Sequence, residues 1–172
     1  MIIDKISVGK DVPNEVNVII EVSAGSTPVK YEFDKDAGAM IVDRFVQTPM
    51  FYPANYGFIP HTLAADGDPL DVMVVTRYPL IPGSVIAARP IGVLYMEDES
   101  GMDEKIIAVP KVKLDPYYSK VNELSDLPDV FVNQIKHFFE RYKDLEPGKW
   151  VKITGFGASA DAKTIISKFV IK

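Results

Sequence analysis

The 172-residue sequence predicts a mainly β chain closed by two C-terminal helices, an α+β class whose strands form an antiparallel barrel or sandwich. Three observations carry this expectation. Short runs rich in β-branched and aromatic residues succeed one another through the first two thirds of the chain. Turn residues, rather than helices, separate them. Two stretches near the end switch to a 3.6-residue apolar repeat.

The first strands span 17–22 (NVIIEV), 29–33 (VKYEF) and 40–46 (MIVDRFV), and DKDAG between the last two supplies a hairpin turn. Residues 48–62 (TPMFYPANYGFIPHT) carry prolines at 49, 53 and 60 among aromatics that include Tyr52 and Tyr56. This is the composition of a rigid loop, which either packs into the core or aims phenol hydroxyls at a ligand. Further strands follow at 72–75 (VMVV), 85–96 (VIAARPIGVLYM), 105–112 (KIIAVPKV) and, late in the chain, 150–155 (WVKITG). From 128 to 143 Phe131, Ile135, Phe138, Phe139 and Tyr142 share one face of a helix, with Ser125 or Asp126 near its start. The second helix begins after Ser159 as N-cap, with Asp161 suited to the dipole of the first turn and Ala162, Ile165, Ile166 and Phe169 as its stripe.

Apolar residues make up 47% and charged residues 25%, the balance of a soluble globular protein, and no repeat or linker divides residues 1–172 into more than one domain. A chain of this length buries about 70% of the surface it exposes unfolded, enough for a core and a preformed cleft. No apolar run approaches the ~20 residues that cross a bilayer. The opening MIIDKISVGKDV is broken by Asp4, Lys5, Lys10 and Asp11 and lacks the apolar core of a signal peptide. With no cysteine, and so no disulfide framework, the expected location is the cytoplasm. A net charge of -5 argues against an extended nucleic-acid surface and requires cations or a local basic patch wherever a polyanion binds.

Several motifs carry no chemistry. GFGASA (155–160) matches a dinucleotide-binding glycine pattern, but no acidic ribose ligand stands about 20 residues further on. GKW (148–150) lacks the upstream glycine of a P-loop. Two histidines, His61 and His137, and no thiol exclude nitrogen and sulfur zinc sites, and His137 is expected at the surface or a subunit contact.

The stretch DGDPLDV (66–72) is different. Asp, Gly and Pro are turn formers, yet a turn does not require three acids, and Asp66, Asp68 and Asp71 repel one another beside a buried strand. Bound cations remove that cost. An EF-hand is excluded, since counting from Asp66 puts Leu70, Asp71 and Arg77 where a ligand, a glycine and a glutamate belong. A small hard cation such as magnesium, shared with waters and a substrate phosphate, fits better. EDESGMDEK (97–105) reads alone as a solvated hairpin tip, but it adds Asp98 and Asp103 around Gly101 and so provides for more than one ion. Groups for a phosphate lie elsewhere. Strand alternation sets Lys30 and Glu32 opposite Val29, Tyr31 and Phe33, places Arg44 with Val42 and Val46, and leaves Tyr142 and Lys143 at a helix end.

Taken in order, these segments resemble the soluble family I inorganic pyrophosphatases of the prokaryotic type. The family's D-G-D-P-x-D is here DGDPLDV, and the likeness runs through IIEV, VKYE, VDRF, MFYPANYGFIPHT, PLIPGSVI, RPIGVL, AVP, HFFERYKDLEPGKW and VKITGF, to about residue 158. The resemblance implies an OB-like five-stranded β-barrel flanked by two C-terminal helices, and hydrolysis of pyrophosphate to two orthophosphates with several Mg2+ ions per site. It implies Asp66, Asp71 and Asp103 as ligands of the metal pair that grips the nucleophile, and Asp98, Glu21 and Glu32 as holders of further ions. Asp68 looks like the general base, and Tyr56 like the tyrosine beside the attacking water. Lys30, Arg44, Lys105, Tyr142 and Lys143 look like phosphate contacts, and Tyr52 falls on a further site position. A homo-oligomer, commonly a hexamer built from trimers, is implied as well, with neither nucleic acid nor membrane as partner. Two other readings predict different behaviour: an OB-like module binding single strands would be indifferent to Asp68, and a metal-dependent phosphatase would need room for an organic group.

Overall fold

The computed structural model describes residues 3–171. In chain order the strands are β1 (Val16–Val22), β2 (Val29–Asp34), β3 (Ala39–Phe45), β4 (Asn55–Phe58), β5 (Asp71–Val74), β6 (Val85–Asp98), β7 (Gly101–Pro110) and β8 (Val151–Ala158). Helix α1 (Asp129–Arg141) precedes β8, and α2 (Ser159–Phe169) follows it.

Strands β1, β4, β5, β7 and β6 neighbour one another in that order, and β6 returns to pair with β1 from Val16↔Ala88 to Ile19↔Val85. The ring so closed is the expected five-stranded OB-like barrel. Its length lets β6 pair with β1 through its first residues and with β8 from Gly92 to Asp98. A bulge between Pro90 and Gly92 separates these two roles, at a proline that has no N–H for the ladder. Hairpin β2–β3 forms a sheet of its own.

Strand alternation buries both faces of the sheet. Val72, Val74, Ile106 and Ala108 enter one core, on which α2 lays Ala162 and Ile166. Their neighbours Met73 and Ile107 enter another, covered by Ile135, Phe138 and Phe139 of α1. Full burial of each valine, isoleucine, methionine and phenylalanine among them stabilises by about 1.5–3 kcal/mol, so the two helices are fixed to opposite faces and the end of α1 is held in place.

The structure corrects four local expectations. β4 lies inside the stretch read as a loop: Asn55, Tyr56, Gly57 and Phe58 are all buried and pair with β5, and the last three pair with β1 as well. Gly57 is required there, because a Cβ would stand 1.9 Å from the Ile19 carbonyl oxygen. The ladder is not wholly antiparallel, since β5 and β7 run parallel. Ser159 does not cap α2: its N–H and hydroxyl both donate to Glu123, while Asp161 accepts from the Ala158 N–H at 2.8 Å. Asp126 accepts from the N–H groups of Asn122 and Glu123, and α1 starts from Pro128, whose carbonyl accepts from Phe131. Among the described residues no helix is long and apolar enough to cross a membrane.

Candidate active site

Five pieces of the fold meet at one cleft. The turn 66–70 delivers Asp66 and Asp68 at the mouth of β5; Gly67 takes φ +92°, a conformation that L side chains resist. The parallel register sets Asp71 of β5 beside Lys105 of β7, with Asp103 two residues before it on the same face. The β6–β7 turn brings Asp98, and the end of α1 brings Tyr142 and Lys143. A bulge in β3 completes the set: Lys30 pairs with Arg44 but Tyr31 pairs with Val42, so Asp43 is the extra residue. The shift moves Arg44 off the face of Val42, where plain alternation put it, and onto the side of Lys30.

The cleft has a volume of about 300 Å3 and is lined by Lys30, Arg44, Tyr52, Tyr56, Asp66, Asp68, Asp71, Asp98, Asp103, Lys105, Tyr142 and Lys143. An adjoining depression of about 160 Å3 adds Glu21 and Glu32 and shares Lys30, Tyr56, Asp68 and Asp71. The structure therefore brings together every residue singled out in the sequence, acids and cations alike. Glu99 and Lys149 join them. Adjacency to Asp98 was the only sequence signal for Glu99; Asp43 had none, because a bulge leaves no pattern in residue types.

Cations and carboxylates hold one another in place. Lys105, almost fully buried, donates to Asp71 and, at 2.6 Å, to Asp103. Burial alone would lower its pKa, but the two carboxylates outweigh that and keep the ammonium charged. Lys30 is likewise held charged against burial, donating to Glu32 with Asp43 at 3.3 Å. Lys143 reaches Asp98 at 2.8 Å and Glu99 at 3.3 Å, and Lys149 reaches Glu99 at 2.5 Å. Burial opposes ionisation of Glu99, yet these lysines hold its pKa at about 2. Tyr52, Tyr56 and Tyr142 sit against Phe138 and Phe139, with ring centroids 4.6 to 6.4 Å apart, and burial pushes all three phenols up, so they remain protonated donors.

Among the described residues no three acidic or histidine side chains are disposed to hold a metal ion as placed. Lys105 stands between Asp71 and Asp103 and draws both toward itself. The donor set nevertheless suits hard divalent cations: every acidic donor is a carboxylate oxygen. Burial, with Asp71 nearby, raises the pKa of Asp103, and burial pushes Glu21 up to about 8. Carboxylates held short of their preferred ionisation are relieved by added positive charge.

Glu21 makes this testable. Its Oε1 accepts from the Phe33 N–H at 2.8 Å, a bond a glutamine would keep. Below pH 4.5 the carboxyl is protonated folded or unfolded; between 4.5 and about 8 only the unfolded chain gives up the proton, so the cost to stability grows with pH. In chelator, Glu21→Gln is expected to stabilise the protein by about 2 kcal/mol near pH 8 and negligibly near pH 4.5, while weakening stabilisation by added divalent cation. Urea denaturation across that range checks it; equal pH dependence in both proteins would contradict it.

Comparison with known proteins places this geometry in context. The family model described as inorganic pyrophosphatase matches residues 18–172. An inorganic pyrophosphatase of Bradyrhizobium diazoefficiens is 61% identical over 166 residues, 96% of this chain and 93% of its own. The crystal structure of an inorganic phosphatase from Anaplasma phagocytophilum superposes with a TM-score of 0.95 at 52% identity, covering 96% of this chain and 97% of its own. That of the inorganic pyrophosphatase from Thermus thermophilus does so with a TM-score of 0.93 at 43% identity, covering 99% and 97%.

Proposed function

This chain belongs to the inorganic pyrophosphatase family, of the soluble family I, prokaryotic type, and we propose that its acid-and-cation cleft hydrolyses pyrophosphate to two orthophosphates with Asp68 as general base. The observation that carries the mechanism is the convergence of the 66–71 acid turn and the Lys30–Arg44 edge on one cleft of about 300 Å3. That space lies at the small end for ligand sites and is lined by charge, which favours an inorganic anion over a nucleotide.

The enzyme takes a divalent cation, and magnesium is the resident ion of this reading. Asp66, Asp71 and Asp103 would hold the ions nearest the water, and Asp98, Glu21 and Glu32 the others. When bound, such ions supply positive charge to phosphate oxygens and lower the pKa of water from 15.7 towards about 7. Lys30, Arg44, Lys105 and Lys143, with the hydroxyls of Tyr52 and Tyr142, bind the phosphate oxygens through charge-assisted hydrogen bonds. Asp68, exposed and unencumbered, takes the proton from water as the new P–O bond forms; the bridging P–O bond breaks and its electron pair leaves on the second phosphate. Tyr56, protonated, orients that water.

Phosphate release from pyrophosphate, from a nucleoside triphosphate and from a phosphomonoester tests the proposal. Release from pyrophosphate alone, requiring Mg2+ and abolished by chelator, is expected; intact pyrophosphate in the presence of Mg2+ overturns it. Lys30→Ala is expected to raise KM roughly tenfold, and unchanged kinetics would remove Lys30 from the site.

The reading covers residues 1–172 as one catalytic domain and extends to the cytoplasm, supported by a cysteine-free composition. It also extends to a homo-oligomer, a hexamer of two trimers. An apolar groove beside His137, where Phe51 and Val130 stay exposed, supports a subunit contact there. Sedimentation as a monomer at micromolar concentration would contradict the assembly.

A further inference from the structure

Arg44 lines the cleft; Glu146, which stands against it, does not. The Glu146 side chain is 12% exposed, and its Oε1 lies 3.5 Å from the Arg44 Nε. Both atoms are buried, and neither has a hydrogen-bond partner. A buried carboxylate oxygen without a donor and a buried guanidinium N–H without an acceptor are each costly, so two such atoms facing one another are complementary, and a small movement joins them.

Glu146 is firmly mounted. It lies in the turn after α1, where its N–H donates to the Lys143 carbonyl at 2.9 Å and its carbonyl accepts from the Lys149 N–H at 3.2 Å. Both lysines are anchored to the β6–β7 turn, Lys143 on Asp98 and Glu99, Lys149 on Glu99. Arg44 is less constrained, being held otherwise by Asp43 at 3.5 Å on Nη1. A guanidinium is a rigid planar fork, so a partner on Nε sets the direction of the terminal nitrogens.

We infer that Glu146 is a positioning residue for the substrate: by holding Nε it fixes the guanidinium plane of Arg44 and aims the terminal N–H groups at a phosphate of pyrophosphate. This rests on the assignment of Arg44 to the phosphate. Orientation and bare charge have opposite signs here. A carboxylate acting only through its charge repels the anionic substrate, and its removal tightens binding; a carboxylate that orients Arg44 weakens binding when lost.

A double-mutant cycle decides between them. Glu146→Ala should raise KM for pyrophosphate about tenfold and leave kcat within about twofold. Glu146→Gln, which keeps an acceptor for Nε, should restore most of the loss. In an Arg44→Ala background Glu146→Ala should change nothing further. A KM that is unchanged or lower, a glutamine as damaging as alanine, or an equal rise without Arg44 each overturns the inference. If Glu146→Ala fails to melt cooperatively, Glu146→Asp, whose shorter stem withdraws the acceptor, replaces it with the same expectation. Calorimetric titration of inorganic phosphate into the same proteins gives the comparison without turnover, so a wild-type protein that left pyrophosphate intact would defeat the hydrolytic reading while the role of Glu146 was still decided.

Discussion

Asp68→Asn is expected to lower the turnover of pyrophosphate by about 10²–10⁴-fold, the usual contribution of a positioned general base, while leaving the fold unchanged. Asp68 is exposed, and the bonds that shape its turn run through its main chain: its N–H donates to Asp66 at 3.0 Å and its carbonyl accepts from the Ala64 N–H at 2.7 Å. Asparagine has the same shape and keeps both, but it cannot accept a proton. Phosphate release measured beside a thermal melt and a cation titration separates these effects. Near-normal turnover would remove Asp68 as the base; a lowered melting temperature would mean that the side chain supports the turn. Asp66→Ala gives the contrast, because it removes the side-chain oxygen that accepts the bond forming the turn.

Much of this site was legible because its residue types are improbable for their surroundings. Three aspartates ahead of a buried strand, and lysine and arginine in apolar strands, need partners, and the structure supplies them. What the sequence hides is register. The bulge at Asp43, which swings Arg44 to the side of Lys30, adds one residue to one strand and alters no local composition. The parallel pairing of β5 with β7 is equally silent, since a short apolar run reads the same in either direction, yet it places Asp71 beside Lys105. β4 was masked by the prolines around it: Pro53 and Pro60 flank a strand whose four residues all pair with β5 and three of which pair with β1. Glu146 was unreadable because its meaning lies in a contact with β3 about a hundred positions earlier.

Lys105→Met is expected to destabilise the protein in chelator by about 3 kcal/mol, and divalent cation is expected to recover most of that loss. Lys105 donates to both Asp71 and Asp103, and its own side chain is only 5% exposed. Methionine fills the space of the stem but leaves two carboxylates facing one another without a counter-charge. Removing one member of a buried ion pair costs about 3–5 kcal/mol; the lower figure applies because Asp71 and Asp103 keep 24% and 17% of their side-chain surface in water. Burial already raises the pKa of Asp103, and losing the ammonium removes the charge that opposes that rise, so the deficit should grow as pH rises through the range in which Asp103 ionises. A divalent ion held by the same carboxylates would perform the electrostatic task of the ammonium, which is why the deficit should shrink when Mg2+ is added. Urea denaturation of both proteins, with chelator and with Mg2+, reads each part separately. A loss of equal size under both conditions would mean that Lys105 is a packing residue and that Asp71 and Asp103 hold no ion. No loss in chelator would mean that the two carboxylates are already solvated enough to need neither lysine nor metal.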